Sequence, residues 1–153
     1  MHKNKRMLVC LTAAFVVIFI VCMVFVLDFR PKNIEINSKQ YNIVAQTDAD
    51  VEKFAQQFCE TEALIGMQHE YIPTQFNDVY TSYNELQKKQ GFDLEKYKGK
   101  KFVMYTYKIA EHKINGSDAY ISVMVIDERV VGGHISTFIK DSPMYTFYGE
   151  EYD

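Results

Sequence analysis

Residues Met7–Leu27 read MLVCLTAAFVVIFIVCMVFVL, with no charge, no Gly and no Pro. As a helix rising about 1.5 Å per residue, a run of this length crosses the roughly 30 Å hydrocarbon core of a bilayer. A secretory signal has a shorter apolar core and a small-residue cleavage site, and this run has neither. Cys22 follows Phe19-Ile20-Val21, whereas lipoprotein processing needs a small residue just before the cysteine. The run therefore predicts an uncleaved single-pass transmembrane helix over 7–27. Lys3, Lys5 and Arg6 precede it, while Asp28, Arg30 and Lys32 beyond it are mixed in sign. Positive charge held inside predicts a cytoplasmic N-terminus (1–6) and an extracytoplasmic C-terminal part at the cell membrane.

That division changes the charge balance. The chain has 17 basic and 20 acidic residues, and three of the basic ones precede the span, leaving 14 against 20 beyond it. A net charge of −6 outside argues against nucleic acid as a partner. Cys10 and Cys22 fall within the span, so Cys59 has no partner for an internal disulfide. It lies on the apolar side of an expected helix and reads as an inert thiol.

The rest has the length of one modest domain. Residues 28–40 are polar, carry Pro31 and read as a stalk, so the domain is expected over 41–140 with an acidic tail over 141–153. Tyr41–Gln46 suits a short strand. Thr47 precedes Asp48-Ala49-Asp50, an N-cap with acids in the first turn, and Val51, Phe54, Ala55 and Phe58 mark an apolar helix face over 48–60. Met67–Ile72 reads as a short or edge strand between Gly66 and Pro73. Phe76, Val79, Tyr80, Tyr83 and Leu86 predict a second helix over about 74–89, with Gly91 at the left-handed C-cap position. Asn115-Gly116 is a strong hairpin signal, because a type I′ turn needs positive φ at both central residues. Closed there, the hairpin opposes Lys113 to Asp118, Tyr107 to Met124 and Tyr105 to Ile126. Asp127-Glu128 turns the chain into a third strand, Arg129–Ile139. The predicted fold is α+β: the transmembrane helix, then two helices packed on an antiparallel sheet that ends in a three-strand meander, as one sheet layer and one helix layer.

Few residues suggest chemistry. His69, His112 and His134 form no i, i+4 pair, and His69-Glu70 on a strand point to opposite faces, so no metal site is expected. No serine sits in a G-x-S-x-G elbow, and no motif calls for a cofactor. Nothing here points to a particular reaction or catalytic residue. Gly132-Gly133 lacks the strand–loop–helix setting and the Lys-Ser/Thr of a phosphate loop. Inside a strand, the pair signals a bulge or a close approach by backbone or ligand. From Lys88 to Lys101, six lysines face only Asp93 and Glu95, a local charge of +4.

Residues 72–100, IPTQFNDVYTSYNELQKKQGFDLEKYKGK, resemble a bacterial family known as domain of unknown function 4830. The matching positions are Ile72, Pro73, Phe76, Val79, Tyr80, Tyr83, Asn84, Gln87, Gly91, Phe92, Asp93, Leu94, Tyr97, Gly99 and Lys100. Tyr105-Thr106-Tyr107 and Gly132-Gly133 fit its later strands, although the family often has an acid where this chain has His134. The resemblance implies an extracytoplasmic, often membrane-tethered bacterial domain and carries no reaction. Combined with the residue pattern, it nominates a groove of Tyr83, Asn84 and Gln87 beside Gly132, Gly133 and His134, for a small ligand. The alternatives are an envelope protein-interaction module using Lys88, Lys89, Lys96, Lys98 and Lys100, and a wall-directed hydrolase, which needs two carboxylates or a His–carboxylate pair in one cleft.

Overall fold

A computed structural model of the chain describes residues 12, 14–23 and 31–149. It divides into two units, Met1–Pro31 and Lys32–Asp153. In the first, residues 14–23 are helical and their apolar side chains are exposed. Among the described residues no helix is long and apolar enough to cross a membrane. Much of the span expected over 7–27 lies outside the described residues.

The second unit is an α+β fold. Strands β1 (Asn33–Ile36) and β2 (Lys39–Asn42) pair as a hairpin. Helix α1 (Asp48–Ala55) follows, then β3 (Thr61–Tyr71), α2 (Asp78–Lys89) and a 3-10 turn (Leu94–Tyr97). Strands β4 (Lys101–Ile114), β5 (Ser117–Ile126) and β6 (Arg129–Ser136) complete a four-stranded antiparallel sheet in the order β3-β4-β5-β6. Two hydrophobic clusters lie within this unit, so Lys32–Asp153 carries its own core.

Local signals explain the helix ends. Thr47 caps α1 by accepting from the Asp50 N–H, while the Asp50 carboxylate accepts from the Thr47 N–H at 3.1 Å, a reciprocal capping box. Asn77 caps α2, which therefore starts later than Pro73 suggests. Gly91 takes φ +79°. It donates to the Lys88 carbonyl at 3.0 Å and Phe92 donates to the Gln87 carbonyl at 3.0 Å, the paired bonds of a Schellman stop.

The sheet is packed on both faces, a correction to the single helix layer expected. On one face Tyr107, Ile109, Ile121, Val123 and Val125 meet Val51, Phe54 and Ala55 of α1. On the other, Phe102, Met124 and Ile126 meet Ile72, Leu94 and the α2 tyrosines Tyr80 and Tyr83. β5 alternates between the two cores, so burial stabilises it from both sides at about 1.5–3 kcal/mol per large side chain.

Four further expectations are corrected. Of the stalk expected over 28–40, residues 33–40 belong to the folded unit: they form most of the β1–β2 hairpin and Ile36 is buried, so the unit begins at Lys32. The helix over 48–60 stops at Ala55, and Thr61–Ile65 join β3, an eleven-residue edge strand exposed along nearly its whole length. The hairpin turn and the Lys113–Asp118 pair form as expected, but Tyr107 faces Ile121 and Tyr105 faces Val123. The register slips because Lys108 pairs Tyr120 while Lys113 pairs Asp118, so β4 bulges between them, where Glu111 has φ 50°. Finally, residues 141–149 are not a loose tail. Tyr145 bridges Ile135, and Phe147 packs against Phe54 and Phe58 at 5.3 and 5.0 Å.

Candidate functional site

α2 presents two stripes of side chains to the sheet, and they do different things. Tyr80, Tyr83 and Leu86 lie along one stripe and roof a cavity of about 430 Å³. Its floor is Phe102, Met104 and Met124, and its rim includes Glu70 of β3 and Ser142-Pro143-Met144 of the segment after β6. That size sits at the small end of the range for small-molecule sites, and the lining is mostly apolar.

The polar centre of the cavity is a pair that the sequence nominated. Tyr83 Oη lies 3.0 Å from His134 Nδ1, and the two rings meet edge to face at 5.6 Å. Burial lowers the His134 imidazole to about 4, so at neutral pH it is uncharged. Burial first, then Tyr80 and Glu70, raises the Tyr83 phenol above its ordinary value. The Tyr80 phenol is raised as well, by burial and then by Glu70. Both members of the Tyr83–His134 pair are therefore neutral hydrogen-bonding groups. Glu70 is the one charged side chain among the lining residues, and it is exposed at the mouth.

The second stripe of α2 is structural. Asn84, Gln87 and Gln90 are buried at 2 %, 0 % and 0 % exposure. Asn84 Oδ1 accepts the Leu94 N–H at 2.7 Å, and its Nδ2 donates to Asp93 at 3.2 Å. Burial pushes the Asp93 carboxyl up, but the bonds from Asn84 and the Glu95 N–H outweigh it and hold the carboxyl below its usual value. Gln87 Oε1 accepts from the Gly133 N–H at 2.8 Å and from Gln90 Nε2 at 3.2 Å. Gln90 Nε2 also donates to the Gly133 carbonyl at 3.0 Å, and Gln90 Oε1 accepts the Phe147 N–H at 2.7 Å. Gln87 Nε2 is buried without a protein partner.

Gly132 and Gly133 exist to admit these groups. A Cβ on Gly132 would sit 2.7 Å from Gln87 Oε1, and one on Gly133 would collide with the Ser122 carbonyl and the Phe147 ring. The expected bulge is present just before them: Met124 pairs Gly132 while Val125 pairs Val130, leaving Val131 extra. Gln87 thus meets Gly132 and Gly133 while Asn84 is tied to Asp93 and Leu94, and none of the four lines the cavity; Tyr83 and His134 do.

The nominated lysines lie elsewhere. Lys88, Lys89, Lys96, Lys98 and Lys100 are exposed. Lys88 pairs with Glu85 at 2.9 Å and Lys98 with Glu95 at 3.4 Å, and Lys98 also lies over the Phe76 ring at 4.5 Å. The Glu85 hydrogen bond leads the causes that raise the Lys88 ammonium. Among the described residues no three His, Cys, Asp or Glu side chains come together to hold a metal ion.

A family model for Domain of unknown function (DUF4830) matches residues 58–135, just over half of the chain. The chain belongs to the DUF4830 family. No curated protein and no solved structure matches it. The matched DUF4830 span contains all of β3, α2, β4 and β5 and β6 as far as Ile135, hence the cavity except for residues 142–144.

Sequence reading missed Glu70, Met104 and Met124 as lining residues of the DUF4830 cavity. Their signal was the second apolar phase of the strands: Phe102, Met104, Met124 and Ile126 alternate as regularly as Tyr105, Tyr107, Val123 and Val125. Ser142 and Met144 carried no such signal, since they reach the rim by a turn outside any strand or helix.

Proposed function

We propose that this protein is a membrane-tethered extracytoplasmic binding domain whose cavity under α2 takes one small, mainly apolar ligand with a hydrogen-bonding group. The observation that carries this reading is a pre-formed apolar cavity with one convergent polar pair, Tyr83–His134, inside it. The tether is the uncharged run Met7–Leu27, and its all-basic N-terminal flank (Lys3, Lys5, Arg6) against the mixed Asp28, Arg30 and Lys32 beyond it favours an outside domain.

Binding fits the site better than catalysis. A hydrolase needs a base, and an imidazole held near 4 is a weak one at neutral pH. Glu70 and His134 line the same cavity, but the hydrogen-bond partner of His134 is the Tyr83 phenol. An interaction surface on the basic segment is weakened by Glu85 and Glu95, which answer Lys88 and Lys98 locally.

The test follows methyl resonances of Met104 and Met124 and the His134 ring in residues 32–153 while octanol is added. Binding in the cavity shifts these signals together, and Met104→Trp, which fills the space, abolishes the shift. Signals that stay in place while octanol rises to its solubility limit overturn the reading.

A further inference from the structure

The charge at the mouth narrows the ligand class. We infer that the cavity takes a cationic amphiphile, with an alkyl or aryl body among Leu86, Phe102, Met104 and Met124 and one ammonium group at Glu70. The inference rests on the cavity being a small-molecule site, as proposed above.

Glu70 is on edge strand β3 opposite Phe102, whose side chain forms part of the floor, so the carboxylate stands directly beside the apolar space. Among the described residues no cation pairs with it; the salt bridges lie at Asp50, Glu62, Glu85, Glu95 and Asp118. Its field reaches inward, since it contributes to raising both the Tyr80 and Tyr83 phenols. The same two rings line the cavity, packed edge to face with centroids 6.1 Å apart, so their π-systems lie within the space a cationic head would share. An anionic head would meet Glu70 with nothing inside to offset it, because His134 is neutral. A purely neutral ligand would use the Tyr83–His134 pair and leave the carboxylate idle.

Octylamine, octanol and octanoate share one body and differ in head charge, so their binding to residues 32–153 by calorimetry at neutral pH and low salt reads the preference. The expected order is amine, then alcohol, then carboxylate, with the amine about tenfold tighter than the alcohol. The difference collapses in Glu70→Gln and inverts toward octanoate in Glu70→Lys; the exposure of Glu70 makes both changes compatible with folding, which circular dichroism checks. Equal binding of amine and alcohol, or a preference that survives Glu70→Gln, overturns the inference while leaving the cavity as a binding site. Failure of all three to bind overturns the cavity reading and this inference with it.

Discussion

Gln87 Oε1 and the Gly133 N–H meet at 2.8 Å across the interface between α2 and β6, where both residues are buried. The bond is one of a set, because Gln90 ties the same glycine's carbonyl and the Phe147 N–H to the same helix. A side-chain amide here does what a backbone ladder cannot, since a helix has no free donors or acceptors along its side.

Truncating either glutamine leaves buried backbone groups unpaired, at about 1–3 kcal/mol each. Gln87→Ala strands the Gly133 N–H, and Gln90→Ala strands the Phe147 N–H together with the Gly133 carbonyl. Chemical denaturation is expected to show Gln90→Ala as at least as damaging as Gln87→Ala, and the double variant as less costly than the sum of the two. Ligand binding by the fraction that stays folded is expected to be retained, because neither residue lines the cavity.

The glycine pair separates by severity. Gly133→Ala places a methyl against the Ser122 carbonyl and the Phe147 ring at a residue with φ +150°, which forces backbone to move. Gly132→Ala meets only the end of the Gln87 side chain, which can shift at the cost of its bonds. Thermal melting is expected to place Gly132→Ala between wild type and Gly133→Ala, the latter losing about 3 kcal/mol or more.

The pH dependence has a definite sign. His134 sits near 4 in the folded protein against 6.5 for a free imidazole, so the unfolded chain binds more protons between those values. Stability therefore rises with pH across that window, is complete above 6.5, and is lost as pH falls toward 4. The contribution is about 2–3 kcal/mol after allowance for partial exposure of the ring. Denaturation curves at pH 7 and pH 4.5 are expected to converge for His134→Gln relative to wild type; an unchanged difference would remove His134 as the cause.

Burial raises the Cys59 thiol to about 11, and its Sγ lies 3.8 Å from the Ala55 carbonyl. Little thiolate forms at pH 8, so alkylation by iodoacetamide is expected to be slow in the folded protein and to accelerate in denaturant.

What could be read in the sequence was what neighbouring residues decide among themselves. Thr47 with Asp50, the Gly91 stop, and Asn115-Gly116 with Lys113 opposite Asp118 are all settled within a few positions. Thr61–Ile65 were harder, because Glu62, Ala63 and Leu64 favour a helix and become strand only through pairing with β4. The slip between Lys108 and Lys113 has no glycine to announce it, since Glu111 itself takes the positive φ. The site divided along the same line. Tyr83 and His134 were found together, but Asn84 and Gln87 looked like groove residues because their partners are backbone atoms 10 and 46 residues away. Gln90 completes the i, i+3, i+6 polar stripe with them and was passed over for the same reason.

Phe147 also has a consequence in time. The core above α1 gathers Phe54, Phe58 and Phe92 around that one ring, and Gln90 waits for its N–H. A chain made from its N-terminus has exposed α1, α2 and all of the sheet before this residue arrives. Until then, three aromatic rings and a buried amide lack the neighbour that closes them. The core around α1 is therefore closed only by the last residues of the unit, so its packing is completed by a segment that arrives after every strand and helix.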